Sequence, residues 1–141
     1  MAIGTITTVA AVCIRDDMAN LSDNDKQWCF DVILESIFMH ADIVKGTTVH
    51  DKTDYYGSGA CAFILPVLFD LDLDTERKEY LKLALSTALT HENLNVSAYA
   101  AKGVREFLWS RDSELASNCL NGVVEYARFR QEESFKRSFY H

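Results

Sequence analysis

Apolar residues recur at intervals of three and four along most of this chain, the period at which side chains share one face of an α-helix. Over roughly residues 6–15 the spacing of Val9, Val12 and Cys13 predicts a helix with those three on one face. A polar connector follows, marked by Asp16-Asp17, Asn20 and Asp23-Asn24. Ser22 has the hydroxyl an N-cap needs, and Asp23 and Asp25 fall in the first turn, where unpaired N–H groups favour negative charge. The helix they open is expected to run to about Ala41. Trp28, Cys29, Val32, Ile33 and Ile37 form its stripe, and Phe30, Leu34 and Phe38 widen it toward a second neighbour.

The long polar stretch from Gly46 to Ser58 breaks this rhythm and predicts a loop over residues 46–58. Loops of that length in compact domains tend to carry function or to be unstructured. Gly59 to Phe69 is apolar again and helical in pattern, with Pro66 placed to kink or shorten it. Asp70-Leu71-Asp72-Leu73-Asp74 reads as a turn, with Asp74 or Thr75 capping the next helix. That helix carries Tyr80, Leu81, Ala84, Leu85, Ala88 and Leu89, and His91-Glu92-Asn93 ends it. Asn95 is expected to cap another, with Val96, Tyr99, Ala100, Gly103, Val104, Phe107 and Leu108 in register. Ser113 is expected to open a last helix through Leu115, Cys119, Leu120, Val123, Val124 and Ala127, with a fraying tail after Arg128.

Shifting the chain by 39 residues sets Ala62 on Ala101, Leu65 on Val104, Leu68 on Phe107 and Phe69 on Leu108. The same shift sets Asp74 on Ser113, Leu81 on Leu120, Leu85 on Val124 and Ala88 on Ala127. Each copy is helix, short turn, helix. A period near 40 built from two antiparallel helices is the mark of HEAT-type solenoids, in which each hairpin buries its apolar face on a similar neighbour. Small residues such as Ala62, Ala84, Ala88, Ala98, Ala100 and Ala101 permit close helix approach. A non-repeating helical bundle fits the same apolar positions.

The stretch from Leu65 to Ala127 also resembles a HEAT-like segment of large multidomain bacterial proteins. The features that carry the resemblance are Leu65-Pro66-Val67-Leu68, Ala88-Leu89-Thr90-His91-Glu92-Asn93, Val96 with Ala100-Ala101, Arg105-Glu106-Phe107-Leu108-Trp109, and Cys119-Leu120-Asn121-Gly122. It is similar to the helical repeats that follow NTPase modules in STAND-type signalling and defence ATPases. The resemblance covers about half the chain and implies a packing unit, with any nucleotide chemistry elsewhere, because the chain has no GxxxxGK[ST] motif. It also implies that these residues are a fragment of a longer chain.

Composition narrows the reading further. One proline and six glycines in 141 residues leave few turns, which favours long helices over many short strands. Fourteen basic residues against 21 acidic ones leave a net charge of −7, which disfavours nucleic acid and anionic membrane surfaces. Cys13, Cys29, Cys61 and Cys119 are widely spaced among apolar neighbours and read as free thiols in a reducing cytoplasm. The uncharged start lacks the basic n-region of a signal peptide. Val9-Ala10-Ala11-Val12-Cys13 resembles a lipoprotein site, but the bulky Val12 argues against it.

Candidate chemistry is sparse. Asp70-x-Asp72-x-Asp74 resembles the opening of an EF-hand loop, but Thr75 and Leu81 stand where Gly and Glu are needed. His40, His50, Asp51 and Asp54 lack the tight spacing of a zinc site. Cys61 with His50 or His91 is the candidate nucleophile pair, and Gly57-Ser58-Gly59 the candidate anion-binding turn.

The sequence therefore predicts a single all-α domain over 1–141, with HEAT-like hairpins over 59–130 stacked as a short α-solenoid or a helical bundle. The expected function is a cytoplasmic protein–protein interaction or scaffold module, with no enzymatic role, cofactor or metal. A small stand-alone adaptor or inhibitor is the second reading, and an enzyme using loop 46–61 the third. The expected contact surface uses Tyr55, Tyr56, Trp109, Phe129, Phe135 and Tyr140, aromatics near helix ends. A solenoid segment should expose an apolar flank at one end, whereas a stand-alone domain should cover both.

Overall fold

The computed structural model describes residues 3–46 and 59–140, with side chains described for 6–38, 59–134 and Lys136. The expected loop beyond Gly46 lies outside the described residues, and His50, Asp51, Asp54, Tyr55 and Tyr56 with it. The side chains of His40, Phe135 and Tyr140 also lie outside them.

Among the described residues the chain is all-α, with no strand. Helix α1 spans Ile3–Asp17, and a 3-10 turn over Met18–Asn20 leads to α2, Asp23–Gly46. Helix α3 is α-helical over 59–64 and tightens into a 3-10 helix over Leu65–Asp70. Helix α4 spans Thr75–Leu89. Helix α5, Leu94–Gly103, runs on into a wide π turn over Val104–Leu108, and α6 spans Ser113–Tyr140.

Local chemistry explains most of these boundaries. The Ser22 hydroxyl accepts from the Asp25 N–H at 3.1 Å, as its capping position predicts. Asp74 accepts from the Arg77 N–H at 2.8 Å and starts α4. Helix α5 starts two residues before the expected Asn95, because Asn93 accepts the Asn95 N–H at 2.9 Å. Helix α6 is capped by Asp112, not Ser113, through the Leu115 N–H at 3.0 Å. Its C-terminal part does not fray at Arg128 but continues helical to Tyr140. Pro66 has no N–H and its ring crowds the carbonyl of Ala62 four residues back, so the α pattern ends at Ile64 and the chain continues in tighter turns.

Helix α3 sits at the centre. From Gly59 to Phe69 every residue is buried or half-buried, and α3 packs against α1, α2, α4 and α5. A helix apolar all round belongs in such a position. Around it α1 packs on α2, α2 on α4, α4 on α5, and α6 on both α4 and α5. Helix α1 turns Thr7, Ala10, Ala11 and Ile14 inward and leaves Val9 49% and Val12 40% exposed. Val9 and Val12 of the expected face therefore point outward, while Cys13 is half-buried against the core. The small inward side chains let α1 approach α3 closely enough for the Cys61 thiol to donate to the Thr7 carbonyl at 3.6 Å. Trp28 and Tyr80, both placed on inner stripes by spacing, are likewise about half exposed. Tyr80 covers the core edge by stacking on Phe38, with ring centroids 5.0 Å apart.

In α3 and α5 the 39-residue register sets buried Leu65 on buried Val104, while the buried Ala62, Leu68 and Leu108 fall opposite the half-buried Ala101, Phe107 and Phe69. It slips in the following helix. The caps Asp74 and Asp112 are 38 residues apart, and of the α6 residues half-buried against the core, Cys119 and Val123 fall opposite Leu81 and Leu85 at that shift, while Leu120 falls opposite Leu81 at 39. The predicted partner of Leu85, Val124, is instead 50% exposed. Eight residues separate Leu65 from Asp74, and seven separate Val104 from Asp112, so the second connection is one residue shorter.

Candidate interaction surface

Helix α6 is the least buried long element. Ala116 is its one fully buried residue among those described, while Leu115, Cys119, Leu120 and Val123 are half-buried. Polar ties at both ends hold it. The Tyr126 hydroxyl donates to the His91 carbonyl at 3.3 Å. Arg130 donates to the Glu92 carbonyl at 3.2 Å and to the Tyr126 hydroxyl at 2.8 Å. At the other end Arg111 pairs with Asp70, linking the α5–α6 turn to the end of α3.

This thin seating leaves apolar surface on two sides of α6. Between α4 and α6 runs a groove of about 340 Å³, walled by Phe69, Leu85, Leu89, Leu115, Cys119 and Gly122. On the side away from α4, Val124 and Ala127 stand exposed beside Leu120, which is half-buried against the core. Helix α5 continues this flank with the exposed Leu94 and Ala98, beside Ala101, which is half-buried against the core. Gly103 and Tyr99 face the opposite way, against Phe63 and Gly59 of α3. Leu94 and Val124 are each about half exposed, and Arg105 and Arg128 stand exposed at the edge of this flank.

Of the residues the sequence singled out for contact, Trp109 is 50% and Phe129 56% exposed. They do not form one patch. Trp109 precedes the start of α6 and Phe129 lies sixteen residues into it, about 24 Å along the helix axis. Phe129 borders a cleft with Tyr126 and Arg130 that also takes in Leu94 and Ala127 of this flank. The Leu94–Ala98–Ala101 and Leu120–Val124–Ala127 stripes were not singled out. Their signal was present as apolar spacing wider than one neighbour needs, but both stripes read equally well as core.

The chemical candidates that lie among the described residues occupy structural positions. Asp74 caps α4 and Asp70 pairs with Arg111. Among the described residues no group of three acidic, His or Cys side chains is set to hold a metal ion. The Cys61 thiol is fully buried, and that burial pushes it up to about 12, far from the thiolate a nucleophile needs. Burial first, then Cys13 and Asp25 nearby, pushes Cys29 up to about 11. Cys119 is also raised, by burial and by Asp112. His91 is buried in the α4–α5 turn, where its Nδ1 accepts the Asn93 N–H at 3.0 Å. Gly59 lies beneath the Tyr99 ring, and Gly57 and Ser58 lie outside the described residues. Among the described residues no helix is long and apolar enough to cross a membrane.

No protein-family model matches the chain, and no curated protein or solved structure matches it.

Proposed function

We propose that this chain is a protein–protein interaction or scaffold module built of three stacked helical hairpins, α1–α2, α3–α4 and α5–α6. The pattern of helix neighbours supports the stack. Odd-numbered helices touch in succession, even-numbered helices touch in succession, and each odd helix touches the even one after it. The resemblance to the HEAT-like repeats of STAND-type ATPases implies the same arrangement.

The observation that carries the functional reading is the apolar flank of α5 and α6, with Leu94 and Val124 half exposed on adjoining helices. Hairpin stacks bind through such extended faces, and a contiguous apolar patch on a folded surface marks a contact site. The test is photo-cross-linking in cells with a photoreactive residue at position 124 or, on the polar face, at 125. A protein adduct at 124 and none at 125 is expected. No adduct at either 124 or 94 would overturn the interaction reading.

A further inference from the structure

The two ends of the stack differ in charge. The α1–α2 hairpin, residues 3–46, carries 7 acidic and 3 basic side chains, a balance of −4, and the α5–α6 hairpin, residues 94–140, carries 6 and 7, a balance of +1. Each end also leaves apolar side chains uncovered. On α1, Val9 stands about 200° around the helix from Thr7, which faces α3. On α2, Val32 stands about 200° from Leu34, which shares the face of Phe38 turned to α4. The first hairpin thus presents Val9, Val12 and Trp28 on its outer flank, beside Val32, which is half-buried against the core. Exposed Asp25 and Glu35 share the Trp28–Val32 stripe, and Asp16, paired to Arg15, follows Val12 at helical spacing.

At the opposite end Ala101 stands two residues, about 200° around the helix, from Gly103, which faces α3, and Val124 stands about 80° from Ala116, the buried position of α6. That flank presents Leu94, Ala98, Val124 and Ala127 with Arg105 and Arg128 beside them. One end is therefore apolar with an acidic rim, and the other is apolar with a basic rim. Complementary rims favour this pairing and set its orientation.

We propose that copies of this chain associate head to tail, the α1–α2 flank of one copy seated on the α5–α6 flank of the next, so that the hairpin stack continues from copy to copy. The proposal rests on the stacked-hairpin reading and names the partner as a second copy of this chain. Such a contact is heterologous, so each copy has one free head and one free tail, and growth is open or closes into a ring.

Light scattering on the purified chain tests it. The wild type should rise in mean mass with concentration, and salt at about 0.5 M should reverse the rise by shortening the screening length to roughly 4 Å. Val9→Glu blocks the head and Val124→Glu the tail, so each variant alone should stay one chain in mass. Mixed in equal amounts, they should form a dimer and nothing larger, because one unblocked head meets one unblocked tail. The exposed pair Arg105→Glu with Arg128→Glu should also abolish growth without touching the core, and Asp25→Lys with Glu35→Lys on the other copy should restore it. A wild type that stays one chain in mass at about 1 mM, where a millimolar contact is half formed, would overturn the proposal. So would a Val9→Glu variant that still dimerises alone, since that requires a tail-to-tail contact. A wild type that stays one chain while position 124 still cross-links to another protein would sink the second-copy proposal and leave the interaction reading standing.

Discussion

Gly103 of α5 lies directly against the backbone of Phe63 in α3. A Cβ placed at Gly103 would meet the Phe63 carbonyl oxygen and lie 2.8 Å from its carbonyl carbon. The two helices cross at this point, and the edge-to-face pair of Phe63 and Phe107, with centroids 5.1 Å apart, closes the crossing on one side. The wide π turn begins at the next residue, Val104, and the Trp109 N–H reaches back to the Val104 carbonyl at 3.1 Å. Close approach and loosened turn together hold Val104 and Leu108 buried.

Gly103→Ala should therefore force the helices apart. Overpacking of this kind costs about 1–3 kcal/mol, and a backbone neighbour puts it at the upper end. Gly122→Ala is the control, since a Cβ there meets nothing within 4 Å. Replacing an open helical glycine should stabilise by about 0.5–1 kcal/mol. Thermal melts of the two variants should move in opposite directions. A Gly103→Ala melt equal to wild type would refute the crossing.

The two aspartate caps should behave alike. Asp74→Ala and Asp112→Ala each remove one side-chain acceptor from an N-terminal amide, at 2.8 and 3.0 Å, and should each cost about 1 kcal/mol. Ser113→Ala, at the position expected from sequence to cap α6, should cost less than half as much in denaturant titration.

Thiol chemistry should follow burial. Ellman's reagent should modify the half-buried Cys13 and Cys119 in the folded protein, and Cys61 only on unfolding. An unfolded thiol ionises near 9, whereas folded Cys61 keeps its proton up to about 12. The unfolded chain loses the proton first as pH rises. Stability from this group is therefore intact below pH 9 and is lost from there toward pH 12, on the order of 1 kcal/mol between pH 9 and 10. Cys61→Ala should flatten that slope, whatever its effect at neutral pH. An unchanged slope would mean the thiol is solvated.

The Tyr126 tie should decide how firmly the C-terminal part of α6 is docked. Tyr126→Phe loses the donor to the His91 carbonyl and the acceptor of Arg130, a loss of about 1 kcal/mol. Amide exchange should quicken in α6 beyond Gly122 while α1 to α4 keep their protection. Equal quickening throughout would make the tie part of global stability.

Much of the fold was legible along the chain. The caps at Ser22 and Asp74, the apolar run around Pro66 and the stripes of α4 and α5 follow from spacing and from side chains that satisfy helix-end amides. Asn95 and Ser113 are as good caps in isolation as Asn93 and Asp112, and it is the side chains of Asn93 and Asp112 that accept the first-turn N–H groups in the fold. The candidate surface was legible only in part. Trp109 and Phe129 are exposed as expected, yet they are too far apart to act together, while Val124 was read as core.

The sequence by itself determined that the chain is helical, where most helices begin, and that its four thiols sit among apolar neighbours. Those properties depend on contacts within a few residues, which spacing and cap chemistry report. Only the tertiary structure decided which apolar stripe each helix buries. Val9 and Ala10, or Val123 and Val124, are equally apolar, and the nearest neighbour in space chooses between them. For α1 the choice fell on small side chains because α3 lies close. For α6 it fell on Cys119, Leu120 and Val123, leaving Val124 half exposed.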